Sequence, residues 1–139
     1  MFILDSDTVT HLHANHPHVV QNVAACPDPL IGTTIITWIE IVRGRFEFLL
    51  KADTTEQFLR AQQLLLDSDR RLRKTLMVPL DRAALDQFQS LRRVKGLKKI
   101  GRTDLLIAGI ALSNQATLVT RNAKDFKLVP RLRIVNWVD

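Results

Sequence analysis

Five short apolar runs, each separated from the next by a stretch of a different periodicity, restrict this chain more than any other feature of its sequence. Phe2 to Asp5, Leu30 to Ile36, Leu76 to Leu80, Thr117 to Thr120 and Arg133 to Val135 are apolar or β-branched and read as strands. Phe2-Ile3-Leu4 is apolar at consecutive positions, the pattern of a strand covered on both faces, so it belongs in the middle of a sheet. Between the runs lie helical segments: Ser6 to Ala14, Pro17 to Ala25, Thr37 to about Leu50, Thr55 to about Lys74, Asp81 to about Val94, one starting around Asp104, and a short turn at Asn122 to Phe126. Pro17 suits a first helical position, and Pro27 and Pro29 end the helix it opens. The helices before and after Lys51 form an αα-hairpin. Strands joined through helices pair in parallel by right-handed crossovers. The predicted fold is therefore α/β, a three-layer α/β/α sandwich around a central, mostly parallel sheet of four or five strands. Pro79, which cannot donate to a ladder, puts Leu76 to Leu80 at a sheet edge.

At 139 residues and 46% hydrophobic, residues 1–139 are expected to form a single domain. Twenty Lys and Arg against fourteen Asp and Glu give a net charge of +6, which favours a polyanionic partner. Cys26 is the only cysteine, so no internal disulfide forms, and Phe2-Ile3-Leu4 before Asp5 is too little for a signal-peptide core; a cytoplasmic location is the expectation. Leu105 to Leu112, the longest apolar run, falls short of the roughly 20 residues that span a bilayer, so no membrane role is expected.

In open α/β sheets ligands bind beyond the carboxyl ends of the strands. Asp5 ends the first strand, Glu40 follows the second by one helical turn, Asn122 and Asp125 follow the fourth, and Asp104 stands at a helix start that can reach the same edge. Each has an ordinary structural explanation. Asp5 or Ser6 can be an N-cap, Thr37-Trp38-Ile39-Glu40 fits a capping box, Asp104 is a favourable first-turn acid, and Asn122 is a good N-cap. Gathered in one cleft, however, these acids would raise one another's pKa values unless a cation held them ionised, and an oxygen-only donor set suits Mg²⁺ or Mn²⁺.

Four segments, Ile3 to Asp7, Thr37 to Gly44, Gly101 to Ala108 and Thr120 to Phe126, resemble in order and spacing the motifs of PIN-domain ribonucleases, and within them the VapC toxins of bacterial toxin–antitoxin pairs. The resemblance extends over nearly the whole chain, to Val135-Asn136-Trp137. It implies a PIN-like fold, with Asp5, Glu40 and Asp104 as metal-binding acids for hydrolysis of RNA phosphodiester bonds with Mg²⁺ or Mn²⁺. Many relatives carry a fourth acid where this chain has Asn122; Asn122 through its amide oxygen, or Asp125 one turn on, stands in for it, and Thr120 is a candidate for orienting the attacking water. Relatives of this kind also dimerise and are inhibited by a small antitoxin that lays a peptide along the αα-hairpin and the active-site groove. Phe46, Phe48, Leu49, Leu50, Phe58 and Leu59 exceed what one core-facing stripe needs, so part of that surface is a candidate for such a peptide.

Arg92, Arg93, Lys95, Lys98, Lys99 and Arg102 immediately precede Asp104, where they could lead an RNA backbone to the metal, with Arg121 and Lys124 contributing from the other side. A solvated loop explains the run as well. His11, His13, His16 and His18 are irregularly spaced for one helix face and read as a loop cluster rather than a metal site; Trp38 and Trp137 read as packing residues. Ala108, Gly109 and Ala111 would let their helix approach the sheet or a second subunit closely. Two other functions compete. Asp5-Ser6-Asp7-Thr8-Val9 resembles the nucleophile motif of haloacid-dehalogenase-like phosphatases, with Asp5 attacking phosphorus and Asp7 as acid–base, although Glu40 then has no role. A non-catalytic RNA-binding or protein-binding module is the other.

Overall fold

Leu4 hands the chain directly from strand to helix at Asp5, and the same abrupt strand-to-helix step recurs at Thr34. The computed structural model describes residues Met1 to Asp139. β1 (Phe2–Leu4) leads through α1 (Ser6–His13) and α2 (Pro17–Ala25) to β2 (Ile31–Thr34), and α3 (Ile35–Leu50) and α4 (Thr55–Arg73) lead to β3 (Leu76–Val78). α5 (Arg82–Arg92), a tight helical turn at Lys95–Leu97 and α6 (Arg102–Ser113) lead to β4 (Thr117–Val119), and α7 (Ala123–Phe126) to β5 (Arg133–Val135).

The strands form one five-stranded sheet in the order β3-β2-β1-β4-β5, with every neighbouring pair parallel. β1 is central and β3 is an edge, as the consecutive apolar residues and Pro79 predict. Side chains alternate between two cores, as strand geometry requires. Ile3 and Leu118 face a cluster built with Phe88, Leu91, Ile107 and Ala108 of α5 and α6. Leu4 and Val119 face a second cluster with Val9 of α1, Leu72 of α4 and Trp137. Helices thus cover both faces, giving the three-layer sandwich. Trp137 is buried and stacks on Phe2 at a centroid distance of 5.3 Å, while Trp38 is half-buried against the same cluster; both are packing residues.

Several boundaries differ from the sequence reading, and one bears on the site. Ile35 and Ile36 belong to α3 and not to β2, because they pack against the α5–α6 cluster and this burial overrides their β-propensity. The N-cap is consequently Thr34, whose Oγ1 accepts the Thr37 N–H at 3.1 Å. The Thr37–Glu40 capping box does not form. A complete box occurs instead at α4, where the Thr54 and Gln57 side chains bond each other's backbone N–H groups. Pro79 lies just past β3, outside the ladder, and the basic segment after α5 contains the Lys95–Leu97 turn, anchored by buried Leu97 and Ile100.

At Gly109 the small residues of α6 serve a contact with another helix, α5, and not the approach to the sheet or a second subunit that the sequence suggests. A Cβ added at Gly109 would stand 2.8 Å from the Ala84 carbonyl oxygen and 3.3 Å from the Phe88 Cβ, so the glycine sets how closely α6 approaches α5. The neighbour at fault is backbone and cannot swing aside. Gly109→Ala is expected to destabilise the fold by about 1–3 kcal/mol through overpacking. A urea midpoint equal to that of the wild type would contradict this close approach.

Candidate active site

The strand order reverses between β1 and β4, where the chain leaves β1 first toward β2 and later returns on its other side. That switch point opens a crevice at the carboxyl ends of both strands. Asp5 follows β1 and Thr120 follows β4, and both are buried, at 8% and 1% exposure. Asp5 caps α1: its Oδ1 accepts the Thr8 N–H at 2.9 Å, leaving Oδ2 for another partner. Capping and ligation are therefore compatible at this residue.

Glu40 lies beyond the first turn of α3 and caps nothing. Its Oε1 accepts a hydrogen bond from Ser6 Oγ at 2.7 Å, and Ser6 also lies 3.2 Å from Thr37 Oγ1. Asp104 occupies the first turn of α6, whose N-cap Gly101 supplies no side-chain bond, so the acid meets the positive end of the helix dipole. Asn122 precedes α7 without a side-chain cap; its Nδ2 donates to Asp125 Oδ2 at 3.1 Å. The two candidates for the fourth position are thus one hydrogen-bonded pair. Thr120 Oγ1 accepts the Asn122 N–H at 3.0 Å, so this buried hydroxyl fixes the turn that presents Asn122.

Electrostatics bring the acids together. The Asp104 carboxyl is pushed above the ordinary carboxylate range, first by burial and then by the charges of Glu40, Asp5 and Asp125. Arg121 does not offset them; its guanidinium lies 3.8 Å from Asp7 and 3.6 Å from Asp139. All the donors are oxygens, and the cluster has negative charge and no cation of its own, which fits a hard divalent ion such as Mg²⁺. No three of the acids stand close enough in the structure to hold a metal ion between them.

Two clefts flank the acids. One, of about 430 Å³, is lined by Asp5, Asp7, Arg121, Asn122 and Asp139. The other, of about 470 Å³, runs from Ser6 and Glu40 along α3 to Gly44, Arg45 and Phe48. Beyond it Ile39, Phe46, Phe48, Leu50, Phe58 and Leu59 of the αα-hairpin are exposed, whereas Leu49 is half-buried. The basic candidates Arg92, Arg93, Lys95, Lys98, Lys99, Arg102, Arg121 and Lys124 are all exposed. Arg92 and Arg102 lie over the Phe88 ring at 5.5 and 5.6 Å, so two of these cations have fixed positions. The histidines pack among themselves, His11 edge-on to His16 at 5.2 Å and His16 to His18 at 5.4 Å, with His11 and His18 Nδ1 bonded to backbone carbonyls.

Sequence reasoning missed Ser6, Asp139 and the role of Asp7. The Asp5-Ser6 step at a strand-to-helix junction is a local signal for Ser6. The meeting of Asp139 with Arg121 and Asp7 is long-range and has no local signature.

The raised Asp104 pKa has a thermodynamic sign. Its stabilising contribution is complete below the unfolded carboxylate range and is lost as pH rises through the folded pKa. At neutral pH, with metal chelated, Asp104→Asn is therefore expected to be more stable than the wild type, and the two should converge near pH 4 or below. Urea midpoints across that range check it; an Asn variant no more stable at pH 7 would place Asp104 outside a repulsive cluster.

Comparison with known proteins agrees with this fold. Residues 2–132 match the PIN domain. Ribonuclease VapC1 of Haemophilus influenzae (strain R2866) is 27% identical over 140 residues, covering 99% of this chain and 98% of the relative. Ribonuclease VapC2 of Rickettsia felis is 55% identical over 38 residues, covering 27% of this chain and 28% of the relative. Among solved structures, VapBC2 from Rickettsia felis bound to a DNA fragment from its promoter superposes with a TM-score of 0.78 at 25% identity, covering 98% of each chain.

Proposed function

The chain belongs to the PIN-domain family, and on that premise we propose that it is a Mg²⁺-dependent endoribonuclease and the toxin of a VapBC-type toxin–antitoxin pair. The observation that carries this reading is the Asp104 carboxyl, raised by burial and by Glu40, Asp5 and Asp125 at the switch point of the sheet. The relative named Ribonuclease VapC1, alike over nearly its whole length, supports action on RNA, and the likeness to VapBC2 supports an antitoxin partner. Family membership leaves the phosphatase alternative without support, and Glu40, idle in that scheme, has a place in this one.

When bound, Mg²⁺ or Mn²⁺ supplies an acidified water and neutralises charge on the phosphoryl oxygens. Asp5, Glu40, Asp104 and Asp125 would hold the ion, with the Asn122 amide oxygen beside them. Ser6 keeps the Glu40 carboxylate aimed, and the Thr8 N–H does the same for Asp5. Thr120 acts through the backbone of Asn122. The exposed cations from Arg92 to Arg102, with Arg121 and Lys124, hold the RNA backbone, and release of Arg121 from Asp7 and Asp139 would free it for a phosphate. The exposed apolar residues of α3 and α4 continue from the Glu40 cleft and fit an antitoxin peptide, and a homodimer acting in the cytoplasm completes the reading. No helix is long and apolar enough to cross a membrane.

Incubation of the purified protein with structured RNAs, in Mg²⁺ and then in EDTA, tests the proposal. Cleavage is expected only with the metal. Glu40→Gln should slow it by about 100-fold or more while leaving the unfolding midpoint at or above that of the wild type, since the amide oxygen still accepts from Ser6 and a charge that repels Asp104 is removed. Full activity in this variant, or cleavage that survives EDTA, would refute the assignment.

A further inference from the structure

At the opposite edge of the sheet from the acids, a cavity of about 530 Å³ lies between α5, the end of α6 and the segments that enter β4 and β5. Its polar lining is Gln87, Ser113, Gln115, Arg131 and Arg133, with no carboxylate among the lining residues. None of the protein's ion pairs involves either arginine. Arg133 donates through Nη2 to the Gln115 carbonyl, which fixes its position across the cavity wall. A concave surface with two uncompensated guanidinium groups is a field that attracts anions, and the planar fork of arginine matches phosphate oxygens.

The backbone sets where two of these side chains start. Gln115 and Arg131 have φ values of 52° and 66°, in the left-handed region where glycine or asparagine is easier. Gln115 follows the C-cap of α6, and Arg131 follows Pro130 in the turn closed by the Leu132 N–H to Val129 carbonyl bond. Both positions carry long polar side chains and both line this one cavity. At Gln115 the left-handed residue closes the C-terminal cap of α6, with the Ala116 N–H on the Ala111 carbonyl and the Gln115 N–H on the Leu112 carbonyl, so this conformation belongs to the helix end. The volume lies within the range of small-molecule sites and accommodates a mononucleotide.

We propose that this cavity is a binding site for a phosphate monoester, carried by a free nucleotide or by the phosphorylated end of an RNA strand, with Arg131 and Arg133 as the phosphate ligands and Gln87 and Gln115 as neutral hydrogen-bonding partners. The site lies apart from the acid cleft and does not depend on the metal.

Calorimetric titration at low salt in EDTA tests it, with adenosine 5′-monophosphate, adenosine, and a short oligoribonucleotide with and without a 5′-phosphate as probes. The monophosphate is expected to bind at least about tenfold more tightly than adenosine. Arg131→Gly, which suits the backbone at that position, should lose at least about tenfold in affinity with no fall in thermal midpoint. Lys51→Gln, an exposed charge outside the cavity, should bind as the wild type does. Binding of the 5′-phosphorylated oligonucleotide but not its hydroxyl form identifies an RNA end as the source, and binding of the monophosphate alone identifies a free nucleotide. Equal affinity for adenosine and its monophosphate, an unaffected Arg131→Gly variant, or an equal loss in Lys51→Gln would overturn the proposal.

Discussion

Half-buried carboxylates near one another repel, and at the carboxyl ends of this sheet that repulsion falls on Asp104, which Glu40, Asp5 and Asp125 push above the ordinary carboxylate range. Each acid but one is held by a donor of the protein: Asp5 by the Thr8 N–H, Glu40 by Ser6, and Asp125 by Asn122. Asp104 has only the helix N-terminus, and it is the acid whose pKa is raised. Its charge is therefore expected to cost stability at neutral pH. A cost of this kind at the switch point of a parallel sheet is the ground for the proposed cation site.

The layer arrangement follows from the same edge. A central β1 with neighbours β2 and β4 brings Asp5 between the chain segments that carry Glu40 and Thr120, while α6, packed tightly on α5 through Gly109, brings Asp104 across from the other layer. Ser6 joins α1 to α3 through Glu40. The positive charge of the protein is distributed differently, with Arg92 and Arg102 fixed on Phe88 ahead of Asp104 and a second group, Arg131 and Arg133, at the far edge.

Much of this was legible from the residues. Consecutive apolar positions in β1 give its central place and the spacing of the runs gives parallel crossovers, while β3 is the expected edge although Pro79, the residue that suggested it, lies outside the ladder. The start of α3 was not legible, since Ile35 and Ile36 favour a strand locally and are drawn into the helix by packing that only the assembled core supplies. That displacement matters chemically, because it moves the cap to Thr34 and leaves Glu40 free of the capping role that its spacing from Thr37 suggests. At the other end, Asn122 and Asp125 read as alternatives in the sequence and are hydrogen-bonded partners in the fold. The Arg121 contacts with Asp7 and Asp139 join distant segments, and no local pattern announces them.

Crystals of the protein soaked in millimolar Mn²⁺ and measured for anomalous scattering address the central claim, that the acid cleft is a metal site, most directly. The proposal predicts a peak about 2.0–2.3 Å from carboxylate oxygens of Asp5 and Asp104, with Glu40 or the Asn122–Asp125 pair completing the shell directly or through water. A strong peak elsewhere, or a cleft without one while the same protein cleaves RNA, would contradict it.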